Sequence, residues 1–215
     1  MQGDHSFNMK KVLFYGDSNT YGYDPAGFMG GRYPRSERWT TILQDNLADT
    51  WQVEADGLPG RALPLSIYEW DYIRSLLRTR DAADLFAVML GTNDLLSTLH
   101  PDAVKTAQKM NDLISFVEDN APETTRFMLI APPRIELTDQ SYAQSYVRGD
   151  RSYAQIYYDE GMRLAEFYEE LAEYRHCLFA DASKWKLHFA YDGVHLSERG
   201  HALFAEAMAD VLRNI

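Results

Sequence analysis

Val12, Leu13, Phe14 and Tyr15 form an unbroken apolar run that stops at Gly16, as a strand buried on both faces does. From there the hydrophobic pattern alternates between runs and helical spacing. Trp39, Ile42, Leu43 and Leu47 recur at three- and four-residue intervals, which predicts a helix over residues 38–47. Residues 52–56 predict a short second strand ending at Gly57. Ile73, Leu76 and Leu77 mark one face of a helix over 67–77. Residues 85–90 are the clearest buried strand, and Gly91, Thr92, Asn93 and Asp94 follow it as a turn. A helix over 103–116, a fourth strand over 126–131 closed by Pro132 and Pro133, a long helix over 152–174 and a fifth strand over 177–180 complete the series. Ser197 is expected to cap a last helix reaching Leu212. Residues 19–25 and the glycine-rich 27–31 read as loop. Five alternations of strand and helix, without an internal repeat or linker, imply one parallel sheet with helices on both faces.

Length and charge narrow this. The 215 residues suffice for one large core, expected over residues 9–215. Residues 1–8 are polar and read as a disordered or added segment ahead of a start at Met9. The formal net charge of -11 disfavours nucleic acid and anionic membrane as partners. Cys177 is the one cysteine, so no internal disulfide or thiolate cluster is expected. Neither a ~20-residue apolar span nor a signal-like apolar core occurs, and a cytoplasmic location is expected. Self-association into a homo-oligomer is left open.

In a parallel sheet all strands point their carboxyl ends to one edge, where open α/β folds carry their chemistry. Ser18, Gly57, Asn93 and the turn Asp192, Gly193, Val194, His195 all follow strand positions, so they are expected to share that edge. A carboxylate and an imidazole three residues apart are within mutual reach. Such a pair can deprotonate a serine hydroxyl, while Asn93 and a glycine N–H donate to an oxyanion. Each element alone is ordinary: Asp192 as a helix or turn former, Asn93 as a turn residue, Gly57 as a loop glycine. Their joint appearance, in order, raises the chemical reading.

These residues resemble the SGNH hydrolases of the GDSL esterase and lipase superfamily. Gly16, Asp17 and Ser18 match its first block, and Gly57 its oxyanion glycine, with Gly60 as a rival. Gly91, Asn93 and Asp94 match the third block, and Asp192 and His195 the last. The likeness runs from Val12 to the C-terminus. It is nearest to the bacterial arylesterase and acyltransferase group, through Ser18 to Tyr23, Arg38, Trp39, Thr40 and the stretch 57–61. The resemblance implies a three-layer α/β/α, flavodoxin-like fold with a five-stranded parallel sheet. It also implies an esterase working through an acyl-enzyme on small short-chain esters, without metal or cofactor. Ser18 would be nucleophile, His195 base and then acid, Asp192 the orienting carboxylate. Ser18, Gly57 and Asn93 would form the oxyanion hole. That group usually has an apolar residue at position 19 and tryptophan where Tyr21 and Tyr23 stand, which implies a more polar pocket here. A carbohydrate acetylesterase is the alternative. Asn19, Tyr23 and Val194 are expected to line the pocket, with Tyr142 and Tyr146 reaching it from a long polar loop over 138–150.

Other readings carry less. His188, His195 and His201 lack zincin spacing, and His201 reads as structural. Asp17 and Asp94 read as turn and hydrogen-bond residues, Asp181 as a weak rival to Asp192, and Trp39 as helix packing. Thr20 stands where a Gly-x-Ser-x-Gly elbow needs glycine. A non-catalytic flavodoxin-like binding or interaction protein is the alternative of another class. The loop after the first strand, however, lacks a lysine and carries Asp17, which would repel a phosphate.

Overall fold

Val12 and Phe14 turn to one side of their strand and Tyr15 to the other, and this alternation divides the whole core. The computed structural model describes residues 9–27, 31–78, 83–137, 147–148 and 151–215. Its main sheet holds β1 (Lys10–Gly16), β4 (Trp51–Gly57), β5 (Leu85–Met89), β6 (Arg126–Ala131) and β9 (Leu178–Asp181). Their order is β4-β1-β5-β6-β9, and every pairing is parallel. On one face Val12, Phe14, Ala87, Met128 and Ile130 pack against α2 (Trp39–Asn46) and α7 (Glu198–Arg213). On the other face Tyr15, Phe86, Val88 and Leu129 pack against α3 (Ile67–Leu77), α5 (Ala103–Asn120) and α6 (Tyr153–Arg175). This is the expected three-layer α/β/α arrangement.

The chain leaves β1 for β4 at the sheet edge, then crosses back to lay β5 on the other side of β1. Loops after β1 and β5 therefore diverge, and a crevice opens between them at this switch of direction. Ser18 follows β1 and Asn93 follows β5, so both stand at that crevice.

The helices begin where their sequences supply caps. Ser66 and Glu69 form a reciprocal capping box on α3. The side chains of Asp102, Ser152 and Ser197 accept the third backbone N–H of α5, α6 and α7. The N-cap of α2, Arg38, provides no side-chain bond. Instead the buried His201 imidazole on α7 accepts the Trp39 N–H through Nδ1 at 3.4 Å.

Four local expectations are corrected. The stretch after Ser18, expected as loop, begins with a one-turn helix, α1 (Ser18–Tyr21), closed by Gly22 at φ 82°. Next comes a small ribbon, β2 (Tyr23–Asp24) with β3 (Gly31–Arg32). The turn after β5 is also a short helix, α4 (Thr92–Leu96). Helix α5 continues to Asn120, past the expected end at 116, because Val117 still faces the core. Within the expected long loop, β7 (Val147–Arg148) pairs antiparallel with β8 (Arg151–Ser152). Tyr142 and Tyr146 lie outside the described residues.

Candidate active site

The position of Ser18 follows from close packing at the end of β1. A Cβ on Gly16 would sit 2.1 Å from Thr20 Oγ1, so only glycine lets the chain fold straight into α1. Asp17, fully buried, caps that turn by accepting the Asn19 N–H at 3.0 Å. Burial pushes the Asp17 carboxyl up to about 6, against the pull of that hydrogen bond. Ser18 thus opens α1 with its hydroxyl toward the 190–195 turn.

Asp192 Oδ1 accepts the N–H groups of Val194 and His195, each at 3.0 Å. Gly193 stands at φ +71°, and its carbonyl accepts the Glu136 N–H at 2.8 Å. A Cβ there would fall 1.6 Å from the Glu136 carbonyl oxygen. The turn is thereby pinned to the segment after β6. The other carboxylate oxygen, Oδ2, lies 2.5 Å from His195 Nδ1, and His195 Nε2 lies 3.0 Å from Ser18 Oγ. Burial raises the Asp192 carboxyl. The hydrogen bonds from the imidazole and the two backbone N–H groups outweigh this and hold it below its ordinary value. An ionised Asp192 selects the tautomer with a proton on Nδ1, which leaves Nε2 to accept the serine proton.

Asn93 lies in the first turn of α4, and its Nδ2 donates to the Arg61 carbonyl at 2.9 Å. Its neighbour Asp94 accepts the Leu63 N–H at 3.0 Å and pairs with Lys109 at 2.9 Å. Two consecutive residues therefore hold the 61–63 segment against α4. From the other side the Arg61 guanidinium donates to the Gly16 carbonyl at 2.9 Å and to Asp56 Oδ1 at 2.8 Å. It also lies over the Tyr15 ring at 4.0 Å.

Gly57, the expected oxyanion glycine, has a packing role. A Cβ there would lie 2.2 Å from the Tyr21 backbone nitrogen, so its bareness admits α1. The ladder closes through Leu58 N–H to the Gly16 carbonyl at 3.2 Å. Gly57's own N–H then points off the ladder, toward the open edge of the sheet. Gly60, at φ +77°, immediately precedes the residue whose carbonyl Asn93 holds.

The expected pocket residues divide. The Tyr23 ring lies against the His195 imidazole, centroids 4.7 Å apart. Val194 is half-buried and packs on the core. Asn19 does not line a pocket: it is 3% exposed, and its amide is engaged with the backbone at Val194 and Leu196. Trp39 is buried and packs between Phe14 and Phe204. Asp181 caps the turn that follows β9 and pairs with Lys184. Sequence reasoning missed what Asn19 and Arg61 do, although both stand beside motif residues, whereas Asp94 is the hydrogen-bond residue it was expected to be. Among the described residues no three His, Cys, Asp or Glu side chains gather as a metal ion would require, and no helix is long and apolar enough to cross a membrane.

Residues 14–203 match the GDSL-like Lipase/Acylhydrolase family. The chain belongs to that family. As a GDSL-like, SGNH-type protein it is an ester hydrolase. No curated protein matches the chain. A putative arylesterase from Agrobacterium tumefaciens str. C58 is 29% identical, with 96% of this chain and 100% of that chain covered and a TM-score of 0.79. A carbohydrate acetylesterase family member from Sinorhizobium meliloti is 28% identical, covering 96% of this chain and 98% of that one, TM-score 0.81. The M. smegmatis aryl esterase shares the fold at 24% identity and a TM-score of 0.80, with 95% of this chain and 99% of that chain covered.

Proposed function

We propose that this GDSL-like hydrolase cleaves small, short-chain carboxylic esters through an acyl-enzyme on Ser18. The observation that carries the reading is the unbroken relay from Ser18 Oγ through His195 to Asp192, at 3.0 and 2.5 Å. His195 Nε2 takes the hydroxyl proton as Oγ attacks the ester carbonyl carbon. The tetrahedral intermediate collapses, the carbon–oxygen bond to the alcohol breaks, and His195 returns the proton to the departing oxygen. Water then repeats the sequence on the acyl-serine, with His195 as base and Ser18 as leaving group.

The oxyanion needs donors fixed before it forms. Ser18 N–H at the start of α1 is one. The Asn93 amide carries two hydrogens, one of which is held by the Arg61 carbonyl. That bond orients the amide and leaves the second hydrogen for the oxyanion. The third donor comes from the 57–60 turn. Gly60 suits it better than Gly57, whose N–H is turned to the sheet edge. The Tyr23 ring beside His195 limits the acyl chain and favours acetyl and propionyl groups.

A second reading, deacetylation of a carbohydrate, draws on a groove of about 600 Å³ that shares the 57–61 turn with the site. Tyr68 and Tyr72 present rings there beside Asp56 and Glu69, and Tyr68 is 82% exposed. Exposed aromatic faces next to carboxylates suit a sugar's apolar face and hydroxyls.

A fluorophosphonate followed by peptide mass spectrometry tests the mechanism. One adduct on the Ser18 peptide is expected, together with loss of p-nitrophenyl acetate hydrolysis. An adduct elsewhere, or none, overturns it. Comparing acetylated sugars with p-nitrophenyl esters then separates the two substrate readings.

A further inference from the structure

Each backbone polar group around His195 has a named partner. The Val194 carbonyl accepts from Asn19 Nδ2 at 3.2 Å, and the His195 N–H goes to Asp192 Oδ1 at 3.0 Å. The His195 carbonyl accepts the Ala190 N–H at 2.7 Å, and the Leu196 N–H donates to Asn19 Oδ1 at 2.9 Å. The turn itself supplies the two bonds at His195. The two that flank it come from a single side chain lying about 175 residues earlier in the chain.

The pattern has a physical meaning. In a parallel ladder a residue's carbonyl accepts from the residue after its partner, and its N–H donates to the residue before its partner. The Asn19 carboxamide makes that pair of bonds, with His195 as the partner residue. It stands where a neighbouring strand's backbone would stand. Asn19 is itself held at its other two polar groups. Its N–H goes to Asp17 Oδ1 at 3.0 Å, and its carbonyl accepts the Trp39 indole N–H at 2.9 Å.

We propose that Asn19 is a positioning residue for the base, setting the separation between Ser18 Oγ and His195 Nε2. Asn19 follows the nucleophile directly in the chain and grips the backbone on both sides of the imidazole. A closed ring therefore runs from Ser18 through Asn19 and the 194–196 backbone to the His195 ring and back to Oγ. Only a carboxamide of this length donates at one end and accepts at the other. Leucine would leave the buried Leu196 N–H and Val194 carbonyl unpaired. Aspartate would keep the bond from Leu196 but set a carboxylate oxygen against the Val194 carbonyl. A base displaced by as little as ~1 Å can cost on the order of 10²-fold in rate.

The inference rests on the acyl-enzyme reading of this site, and the test separates the two. Asn19→Leu and Asn19→Asp would be compared with the wild type for kcat and KM on p-nitrophenyl acetate, for the rate of Ser18 phosphonylation, and for thermal midpoint. The low-field proton resonance expected of His195 Nδ1–H beside Asp192 supplies a spectroscopic readout. Both variants are expected to lose kcat and phosphonylation rate by about 10- to 100-fold, with KM within about threefold, well below their melting temperatures. The low-field resonance should broaden or move. If the wild type labels at Ser18 and a folded Asn19→Leu protein labels and turns over within threefold of it, Asn19 is packing only. If Asn19→Leu does not fold, the Asn19→Asp protein decides by the same criterion. If neither folds, the residue is structural and the positioning role is overturned. A wild type that does not label at Ser18 removes the acyl-enzyme reading itself.

Discussion

Asn93 gives one hydrogen of its amide to the carbonyl of Arg61, 2.9 Å away, which orients the amide that the proposed mechanism assigns to the oxyanion. A donor aligned in advance stabilises the charge of the transition state more than the ground-state carbonyl. Asn93→Ala is therefore expected to lower kcat by ~10²–10³ and leave KM nearly unchanged. Asn93→Asp should be at least as damaging, because it sets a carboxylate against the oxyanion. Steady-state kinetics on p-nitrophenyl acetate, with circular dichroism to verify folding, is the measurement. A folded Asn93→Ala enzyme within threefold of wild type would falsify the amide's part in the oxyanion hole.

Tyr23 governs acyl length if its ring against His195 closes the acyl side of the crevice. Wild type should prefer acetyl and propionyl esters over octanoyl. Tyr23→Ala opens the space and should raise kcat/KM for hexanoyl relative to acetyl by about tenfold, the effect of roughly one to two buried methylenes. The check is a chain-length series of p-nitrophenyl esters on both proteins. An unchanged ratio would show that another wall limits the chain.

His201 and Asp17 make stability depend on pH in opposite senses. Burial lowers His201 from 6.5 to about 4 and raises Asp17 from 3.8 to about 6. The His201 contribution is complete above its unfolded value of 6.5 and is lost as pH falls toward 4, because the unfolded chain takes the proton first. The Asp17 contribution is complete below 3.8 and is lost as pH rises through 6, because the unfolded chain ionises first. Each spans at most about 3 kcal/mol, and between pH 4 and 6 they oppose one another. His201→Asn keeps an acceptor for the Trp39 N–H and removes one of the two. The wild-type melting temperature should exceed the variant's by several degrees more at pH 7 than at pH 4.5. A difference that does not change with pH would mean that His201 titrates normally.

Much of the frame was legible because its causes are local. Period and run length marked α2 and α3, and the unbroken apolar run from Leu85 to Leu90 marked β5. Strand ends then indicated where chemistry would stand, and the types and order of Ser18, Asn93, Asp192 and His195 named the reaction class. The one-turn helices α1 and α4 were read as loop and turn, because four or five residues are too few to show a period.

The sequence by itself determined which groups were available: a hydroxyl, an imidazole, a carboxylate and an amide, each following a strand position on one sheet edge. Only the tertiary structure decided which partner each one takes. Asn19 looked like a pocket residue because its neighbour, Ser18, was the expected nucleophile. Folding brings it against Val194 and Leu196 and turns its amide onto their backbone. Gly57 was expected as the oxyanion glycine, with Gly60 as its rival. Pairing of β4 with β1, and the approach of Tyr21 to Gly57, distinguish them. The reason is physical: a residue's type sets what bonds it can form, while hydrogen-bond partners far apart in the chain exist only once the sheet has brought its strand ends together.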